Sequence, residues 1–389
     1  MRRLGRVVLA LAFLGALAPT AASAVSIEAV GPPETVFDHD TMSCFLEDSP
    51  DGTVRAFRDD TGRVQVLLRG AHTRMIGPDL YNLTHDCKRV FNGLPVNPNP
   101  WEYDYADWLA APWTDDGRNL HALVHAEYHG WRIPGWCPGE PFQKCRYNTI
   151  TFARSTDAGE SYQHGPGGDW LVAALPYRYV PGDGRYGYFS PSNIVERDGW
   201  HYSLIMVSQA YRQQQFGSCL IRTRNVADPK SWRAWDGHGF NVRFIDPYRE
   251  SPEPVGRHVC QPVSPKQIRE MARNLTYNTF LGKYVVTGVT NKYDPVQERR
   301  VYGFYFSTSE DLINWTDRQL LMETETLGTY LCGDENPRLY PGILDPVSPE
   351  RNFSVVGEYA HLYFVEMIPD NCVLGRERDQ VRIPVRFVP

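Results

Sequence analysis

Short runs of alternating apolar and polar residues, separated by turn-forming residues, recur along most of the chain. The first two runs, 53–57 and 64–68, flank the polar segment 58–62 (RDDTG) and predict a β-hairpin. No stretch of 12 residues keeps the period of an amphipathic helix, so the pattern predicts an all-β chain. Further runs of this kind cover residues 120–128, 148–154, 192–196, 200–207, 218–223, 275–280, 284–289, 300–307, 352–357, 360–366 and 380–387.

The third run of three successive groups ends in a turn with a hydroxyl residue, an acidic residue and a closing aromatic residue. These turns lie at residues 155–162 (STDAGESY), 223–232 and 307–315 (STSEDLINW). Hydroxyl and carboxylate side chains can bond to the turn backbone while the aromatic side chain packs on the sheet. A repeat of roughly 60–80 residues predicts the blades of a β-propeller.

Two of these turns resemble motifs of known propeller families. The first resembles the Asp-box of sialidase-type propellers, and the third is similar to the Ser-x-Asp-Leu-x-x-Trp turn of five-bladed glycosidases, which include arabinanases, xylosidases and fructan hydrolases. The resemblance implies five four-stranded antiparallel blades with catalytic acids on the inner strands near the axis. The blades would cover about residues 45–92, 107–165, 186–245, 269–325 and 335–389.

The N-terminal segment predicts export. Three arginines among the first six residues precede the apolar run 7–18, and Ala22-Ser23-Ala24 has small residues at the positions that signal peptidase requires. We therefore interpret residues 1–24 as a signal peptide and residues 25–389 as a single propeller domain. The run is too short to span a bilayer comfortably, and no later stretch is long and apolar enough.

The eight cysteines, all in the mature part, predict disulfide bonds in an oxidising compartment. We expect nearest-neighbour pairing, because each pair would then staple one sheet or two adjacent ones. Zinc binding is not favoured, since the chain has no CxxC pair. The cysteines are Cys44, Cys87, Cys137, Cys145, Cys219, Cys260, Cys332 and Cys372.

Charge and composition narrow the class of partner. The net charge of −6 provides no basic field for nucleic acid. Aromatic residues make up 13% of the chain, and their rings can stack on the apolar faces of sugars. The expected partner is therefore an extracellular glycan or oligosaccharide.

The first group holds the candidates for the catalytic base or nucleophile. Glycosidic hydrolysis uses one carboxylate as base or nucleophile and one carboxylic acid as proton donor. Residues 51–55 (DGTVR) are similar to the Asp-Pro-x-Val-x-Arg segment of arabinanase-type enzymes, with Gly52 in place of proline. The resemblance implies that Asp51 is the base, with Asp48 as the alternative. Arg55 would point inward and bind substrate.

The second group supplies the candidate proton donor. A strand over residues 120–128 places His121, His125, Glu127 and His129 on one face, because side chains alternate with period two. A polar stripe in a buried strand is costly unless it lines a cavity. We predict Glu127 as the proton donor and His125 as a substrate-binding residue.

The remaining candidates lie in later groups. Their side chains can bond or stack with a sugar, and Glu270 is a further acid to test. The sequence identifies no cofactor with certainty, although a calcium ion at the propeller axis is one option. The further substrate-binding candidates are Tyr188, Asn193, Asn278 and Glu358.

These observations predict a secreted or periplasmic glycoside hydrolase with a carboxylate pair at the propeller axis. The alternative is a non-catalytic propeller that binds glycan or protein at its axial face. A sialidase is not favoured, because the spacing identifies no three arginines that would converge on a substrate carboxylate.

Overall fold

The computed structural model describes residues 25–137 and 144–389, so the predicted signal peptide lies outside the described residues. The regular structure in these ranges is nearly all β, with one four-residue α-helix, α1, at His39–Met42 and four 3-10 turns at Pro100–Glu102, Gly130–Arg132, Pro229–Ser231 and Val255–Arg257. The strands are β1 Ser26–Ala29, β2 Glu34–Phe37, β3 Ala56–Arg58, β4 Val64–Leu67, β5 Arg74–Gly77, β6 Thr84–Asp86, β7 Ala106–Trp113, β8 Leu120–His129, β9 Cys145–Ser155, β10 Leu171–Ala173, β11 Gly184–Gly187, β12 Val195–Arg197, β13 Trp200–Val207, β14 Gly217–Thr223, β15 Arg233–Ala234, β16 Asn274–Asn278, β17 Lys283–Asp294, β18 Arg299–Ser309, β19 Gln319–Glu323, β20 Arg338–Leu344, β21 Val355–Val356, β22 Tyr359–Asp370 and β23 Val373–Val388.

The described strands form five mainly antiparallel sheets. The first sheet contains β3 to β6, the second β7 to β10, and the third β12 to β15. The second sheet also holds β11, which runs parallel to β9. The fourth contains β16 to β19 with β21, and the fifth contains β20, β22 and β23 with β1 and β2. The predicted all-β propeller class is confirmed.

Apolar clusters join each sheet to the next, and the fifth sheet packs against the first. Because every sheet buries both faces in this way, the sheets form a closed ring around an axis. Members of these clusters from successive pairs of sheets are Phe57 with Leu120, Ile150 with Ile205, Leu204 with Val286, Phe304 with Phe364, and Val66 with Tyr363.

The ends of the described chain meet in the fifth sheet. β1 and β2 both pair with β23, and Ser26 lies opposite Val388. The predicted strand over residues 352–357 is wrong, because only β21 is extended there and it pairs in parallel with β16 of the fourth sheet. Glu350 accepts backbone hydrogen bonds from Asn352 and Ser354, which turns this segment.

Arg55 ties four sheets together near the axis. This buried side chain precedes β3, and its guanidinium donates hydrogen bonds only to backbone carbonyls. The acceptors are Val54 at 2.8 Å, Ala110 at 2.9 Å, Pro191 at 3.3 Å and Arg273 at 2.7 Å. These carbonyls belong to the first four sheets or to the residues just before them.

Two asparagines extend this connection to the fifth sheet. Asn193 donates to the carbonyl of Leu275 and accepts from its backbone N–H, at 2.6 and 2.8 Å. Asn274 donates to Asn193 and accepts from the N–H of Ile343 in β20. Side chains that bond to a neighbouring sheet's backbone therefore fix the inner strands relative to one another.

The predicted turns have the expected hydrogen bonds. Ser155 donates to Asp157 at 2.7 Å and accepts from the N–H of Gly159. In the later turn, Ser309 donates to Asp311 at 3.1 Å and accepts from the N–H of Leu312. The closing aromatic residues of both turns are buried.

The disulfide pairing follows the nearest-neighbour prediction. All eight cysteines lie in the described ranges and all are paired. The same ranges contain no helix of the length and apolarity needed to cross a membrane. The pairs are Cys44–Cys87, Cys137–Cys145, Cys219–Cys260 and Cys332–Cys372.

Candidate active site

A cavity of about 700 Å³ lies where the five sheets meet. Its lining residues are on, or close to, strands of every sheet, which places the cavity on the axis of the ring. Its volume is in the range of small-molecule and oligosaccharide sites. It is lined by Asp51, Arg69, Trp108, His125, Glu127, Arg146, Arg185, Ser190, Met206, Glu270, Arg273, Val289, Thr326, Leu327, Gly328, Leu339, Tyr340 and Arg378.

Asp51 faces the cavity from the loop before β3. Tyr340 of β20 donates a hydrogen bond to its Oδ1 at 3.0 Å, and Arg378 of β23 forms an ion pair with the same oxygen. The side chain of Asp51 remains 28% exposed. Two residues of the fifth sheet therefore orient this carboxylate while leaving it open to a ligand.

Glu127 faces the cavity from β8, with His125 and His129 two residues to either side. Its Oε2 lies 2.8 Å from Nε2 of His129 and 2.6 Å from Arg146, and its Oε1 accepts a hydrogen bond from Asn148 at 3.1 Å. The Asn148 amide also donates to Nε2 of His125 at 2.6 Å. The predicted polar stripe of β8 thus has partners on β9.

These contacts determine the charge of the Glu127 carboxyl. Burial acts to raise the pKa of Glu127, but the hydrogen bond from His129 and the charge of Arg146 outweigh it and hold this pKa well below the usual range. Burial lowers the pKa of His125 to about 3, so that imidazole is neutral at physiological pH. Glu127 is therefore an ionised carboxylate, which is suited to accept a proton or to bind a cation.

Glu270 is the third carboxylate of the cavity. It precedes β16, and its Oε2 lies 3.2 Å from Nε of the adjacent Arg269, which is not a lining residue. Its side chain is 22% exposed. Within the described residues no other cation lies within 4 Å of it, in contrast to Glu127.

Sequence reasoning missed the arginines of this cavity. Each lies at a strand end, within a strand or in an adjoining segment, and no spacing along the chain relates them. The alternation of side chains along a strand could have indicated that an individual arginine points inward. It could not have indicated that arginines from several sheets converge. The five arginines are Arg69, Arg146, Arg185, Arg273 and Arg378.

Asp48 and Arg55 lie outside the cavity lining. Asp48 is fully buried and accepts hydrogen bonds from Thr73 and from the N–H of Cys44, with Nε2 of His85 at 3.3 Å. Burial acts to raise the pKa of Asp48, but the hydrogen bonds from His85 and Thr73 lower it. Asp48 therefore stabilises the loop that carries Asp51, and Arg55 donates its side-chain hydrogen bonds to backbone carbonyls.

The other predicted substrate-binding residues also have structural partners instead of facing the cavity. Tyr188 is buried and donates to Gln214 at 2.8 Å, and Asn193 bridges two sheets. Asn278 donates to the carbonyl of Gly357 at 2.9 Å, and Glu358 forms an ion pair on the outer surface. Of the substrate-binding predictions, only His125 lines the cavity.

Two clusters in the described residues have side chains of metal-ligand type, and neither lines the cavity. Cys44, His85 and Cys87 form one of them, but its sulfurs are joined in a disulfide. In the other, Nε2 of His164 lies 3.7 Å from Asp104 and 3.9 Å from Asp107. Imidazole and carboxylate groups can hold a divalent cation, which would be outside the axial site predicted for calcium.

Comparison with protein-family models finds no match, and comparison with curated proteins finds none. Solved structures of similar fold include an α-L-arabinofuranosidase from Podospora anserina in complex with cellotriose, at 9% identity over 91% of this chain and 95% of that chain, with a TM-score of 0.44. An α-L-arabinanase from Cellvibrio cellulosa complexed with arabinohexaose has 12% identity over 89% and 91%, with a TM-score of 0.44. A glycosyl hydrolase from Bacteroides ovatus has 13% identity over 85% and 83%, with the same TM-score. These proteins are glycosidases, and at these values the similarity is confined to the overall fold.

Proposed function

We propose that this chain is a secreted or periplasmic glycoside hydrolase that acts on an extracellular glycan or its fragments. The observation that carries the proposal is that Asp51, Glu127 and Glu270 line one cavity on the propeller axis. Trp108 lines the same cavity and offers a flat apolar surface for a sugar ring. Carboxylates on opposite sides of a sugar-sized space are the requirement for cleavage of a glycosidic bond.

Asp51 is the proposed base or nucleophile. Its hydrogen bond from Tyr340 and its ion pair with Arg378 fix the direction of the carboxylate, and its partial exposure leaves an oxygen accessible to water or to a sugar carbon. Neither partner depends on the substrate, so the group is oriented before binding.

We assign the role of proton donor to Glu270 instead of Glu127. A general acid must carry a proton near neutral pH, which requires a raised pKa. The hydrogen bond from His129 and the charge of Arg146 lower the pKa of Glu127 and thus oppose the role assigned to it from the sequence. Glu270 lines the same cavity, and among the described residues Arg269 is the only cation within 4 Å of its carboxyl. Glu127 then binds and orients substrate together with its neighbours on β8 and β9.

Substitution of each carboxyl by its amide tests these roles. We expect Glu270→Gln to lower turnover of a natural glycan by about 10²–10⁴-fold while an aryl glycoside with a good leaving group is still cleaved, because its departure needs little protonation. Asp51→Asn should lose activity on both substrates. Glu358→Gln is the matched control outside the cavity. Full activity of Glu270→Gln on the glycan, or rescue of Glu127→Gln alone by the aryl glycoside, would contradict the assignment.

A non-catalytic glycan-binding propeller is the second candidate. The observation that favours it is that Asp51 and Glu127 are each already paired with an arginine, as in a binding site built for polar contacts. Calorimetry distinguishes the two functions. A wild-type protein that binds oligosaccharides, releases no product from them and keeps the same affinity after Glu270→Gln is a binding module.

Export is proposed from the N-terminal segment and the four disulfides. Disulfides of this number form and persist in oxidising compartments, and all of them link cysteines within about 45 residues. N-terminal sequencing of the protein from the culture medium or periplasm tests the cleavage site. A mature protein that begins near Val25 is expected, and retention of Met1 would contradict it.

A further inference from the structure

The cavity carries an excess of positive charge in a chain of net negative charge. Five arginines and three carboxylates line it, whereas the whole chain has a formal charge of −6. Arg378 and Arg146 are matched by Asp51 and Glu127. The other three arginines form no salt bridge with any described residue, and we call Arg69, Arg185 and Arg273 the unmatched arginines.

Arg69 lacks partners although it is almost completely buried. Its side chain is 6% exposed and forms no hydrogen bond with the described residues, and its Nε atom is fully enclosed. A buried guanidinium with unused N–H groups is costly unless a ligand binds them. Since Arg69 lines the cavity, its free donors can be satisfied from that side.

Gly52 makes room for this guanidinium. A Cβ atom at position 52 would lie 1.8 Å from Nη2 and 2.0 Å from Nε of Arg69. Any other residue at position 52 would therefore push the guanidinium away from its present position at the cavity wall. The replacement of the expected proline by glycine next to Asp51 has a physical reason in this contact.

The other two unmatched arginines are held by aromatic rings. Arg185 stacks on Phe189 with its carbon Cζ 4.7 Å from the ring centre, and Arg273 stacks on Tyr340 at 5.0 Å. Arg273 makes one side-chain hydrogen bond, to Ser190 at 2.9 Å. Stacking fixes the plane of each guanidinium while leaving N–H groups at its edge for a ligand.

The unmatched arginines lie close enough to affect one another. Burial and then the charge of Arg273 lower the pKa of Arg69 to about 10, and burial, the charge of Arg146 and that of Arg273 lower the pKa of Arg185. All remain cationic at neutral pH. An anion between them would relieve both the repulsion and the unused hydrogen-bonding capacity, which a neutral sugar would do only in part.

We propose that the sugar unit bound in this cavity carries an anionic group, a carboxylate or a sulfate ester, and that Arg69, Arg185 and Arg273 bind it. The proposal rests on the proposed function only in taking the ligand to be a glycan. Guanidinium groups bind both anions through paired N–H donors. The substrate class is therefore a uronic-acid-containing or sulfated glycan rather than a neutral one.

Binding measurements with matched acidic and neutral oligosaccharides test the proposal. The probes are oligogalacturonides and their methyl esters, and sulfated galactan oligosaccharides and their desulfated forms, titrated by calorimetry into the full-length mature protein. We expect the acidic member of one pair to bind at least tenfold more tightly than its neutral partner, and to lose affinity as salt is added. Preference within the first pair identifies the carboxylate, and preference within the second identifies the sulfate.

Two variants with matched controls separate the arginines from general effects. Arg185→Gln should weaken binding of the preferred acidic probe by about 10–100-fold and that of its neutral form by less than threefold. The exposed Arg257→Gln is its control. Gly52→Ala should displace the Arg69 guanidinium and thereby weaken binding of the acidic probe. Thermal stability should change little, because the displaced group is the end of a flexible side chain. Gly375→Ala, where a Cβ meets no neighbour, is the control for it.

The outcomes separate this proposal from the proposed function. Equal affinity for acidic and neutral probes, no binding of either acidic probe, or an unchanged acidic preference in both variants would overturn the anionic substrate class. Cleavage of a neutral glycan with such results would leave the hydrolase proposal standing. Conversely, tight binding of an acidic probe without any cleavage would support the arginine site and count against hydrolysis.

Discussion

Replacement of Arg55 tests how the ring of sheets is held at its centre. This side chain is 3% exposed and donates four hydrogen bonds, at 2.7–3.3 Å, to carbonyls that belong to four sheets. No carboxylate in the described residues pairs with it, and burial together with the charges of Arg69 and Arg273 lowers its pKa. Arg55→Met keeps most of the side-chain volume while removing all four donors.

The expected loss follows from two opposing contributions. Each hydrogen bond from a charged donor contributes about 1.5–3 kcal/mol, so four such bonds contribute at least about 6 kcal/mol. Removing a buried charge returns several kcal/mol of desolvation energy, which we take as about half of that amount. Arg55→Met should therefore lower the free energy of unfolding by about 3 kcal/mol. Arg55→Lys, which keeps the charge but loses the planar fork, should lower it by about half as much.

Urea unfolding followed by tryptophan fluorescence measures this difference through the transition midpoint. Exposed Arg257→Met is the control and should change the free energy of unfolding by less than about 0.5 kcal/mol. An Arg55→Met protein as stable as the wild type would show that the carbonyl bonds do not hold the sheets. A more stable variant would show that the desolvation cost of the guanidinium exceeds the value of its bonds.

Three further predictions concern a disulfide, the buried His85–Asp48 pair and an ion pair on the outer surface. Replacing Cys219 and Cys260 by alanine opens a link with a sequence separation of 41 residues, and should lower the free energy of unfolding by about 4 kcal/mol, which urea unfolding can check. Burial acts to lower the pKa of His85, but the hydrogen bond and charge of Asp48 raise it, so this pair stabilises the fold below the ordinary histidine pKa and the contribution is lost as pH rises through the raised value. His85→Gln should thus destabilise the protein more at about pH 5.5 than at about pH 8.5, and an equal loss at both would refute the linkage. Glu358→Ala should leave turnover of any substrate unchanged, because its ion pair lies outside the cavity, and a tenfold loss would place it in the site.

The fold was largely predictable because its signals are local. Alternating runs bounded by Asp, Gly and Pro identify long strands such as β8, β13 and β18, and sequence neighbours proved to be disulfide partners. β20 was missed because Pro341 and Gly342 interrupt its pattern. The pairing of β1 with β23 was missed because it joins residues from opposite ends of the chain, and no local pattern records such a contact.

The site was less predictable because a polar side chain near the axis can find its hydrogen-bond partner either in a ligand or in the backbone of a neighbouring sheet. Asp51 and Glu127 face the cavity as polar residues on or before inner strands should. Arg55 and Asn193 have similar positions in their groups, yet they bond to the backbone of neighbouring sheets. The sequence shows that a buried polar side chain needs a hydrogen-bond partner, but it does not show whether that partner is a ligand or a backbone carbonyl. It also does not show that arginines of different sheets converge.

The fifth sheet combines strands from both ends of the described chain, and this affects the order in which the protein can fold. β1 is among the first of the described strands to be synthesised, and its partner β23 is the last. The ring cannot close until β23 has been synthesised. The strands that form earlier therefore keep an open sheet edge until then, and slow, late closure is expected. The same arrangement brings the two ends of the described chain side by side. A short linker could join them and new ends could be opened in an exposed turn elsewhere, giving a circularly permuted protein that keeps every sheet and the arginine-lined cavity.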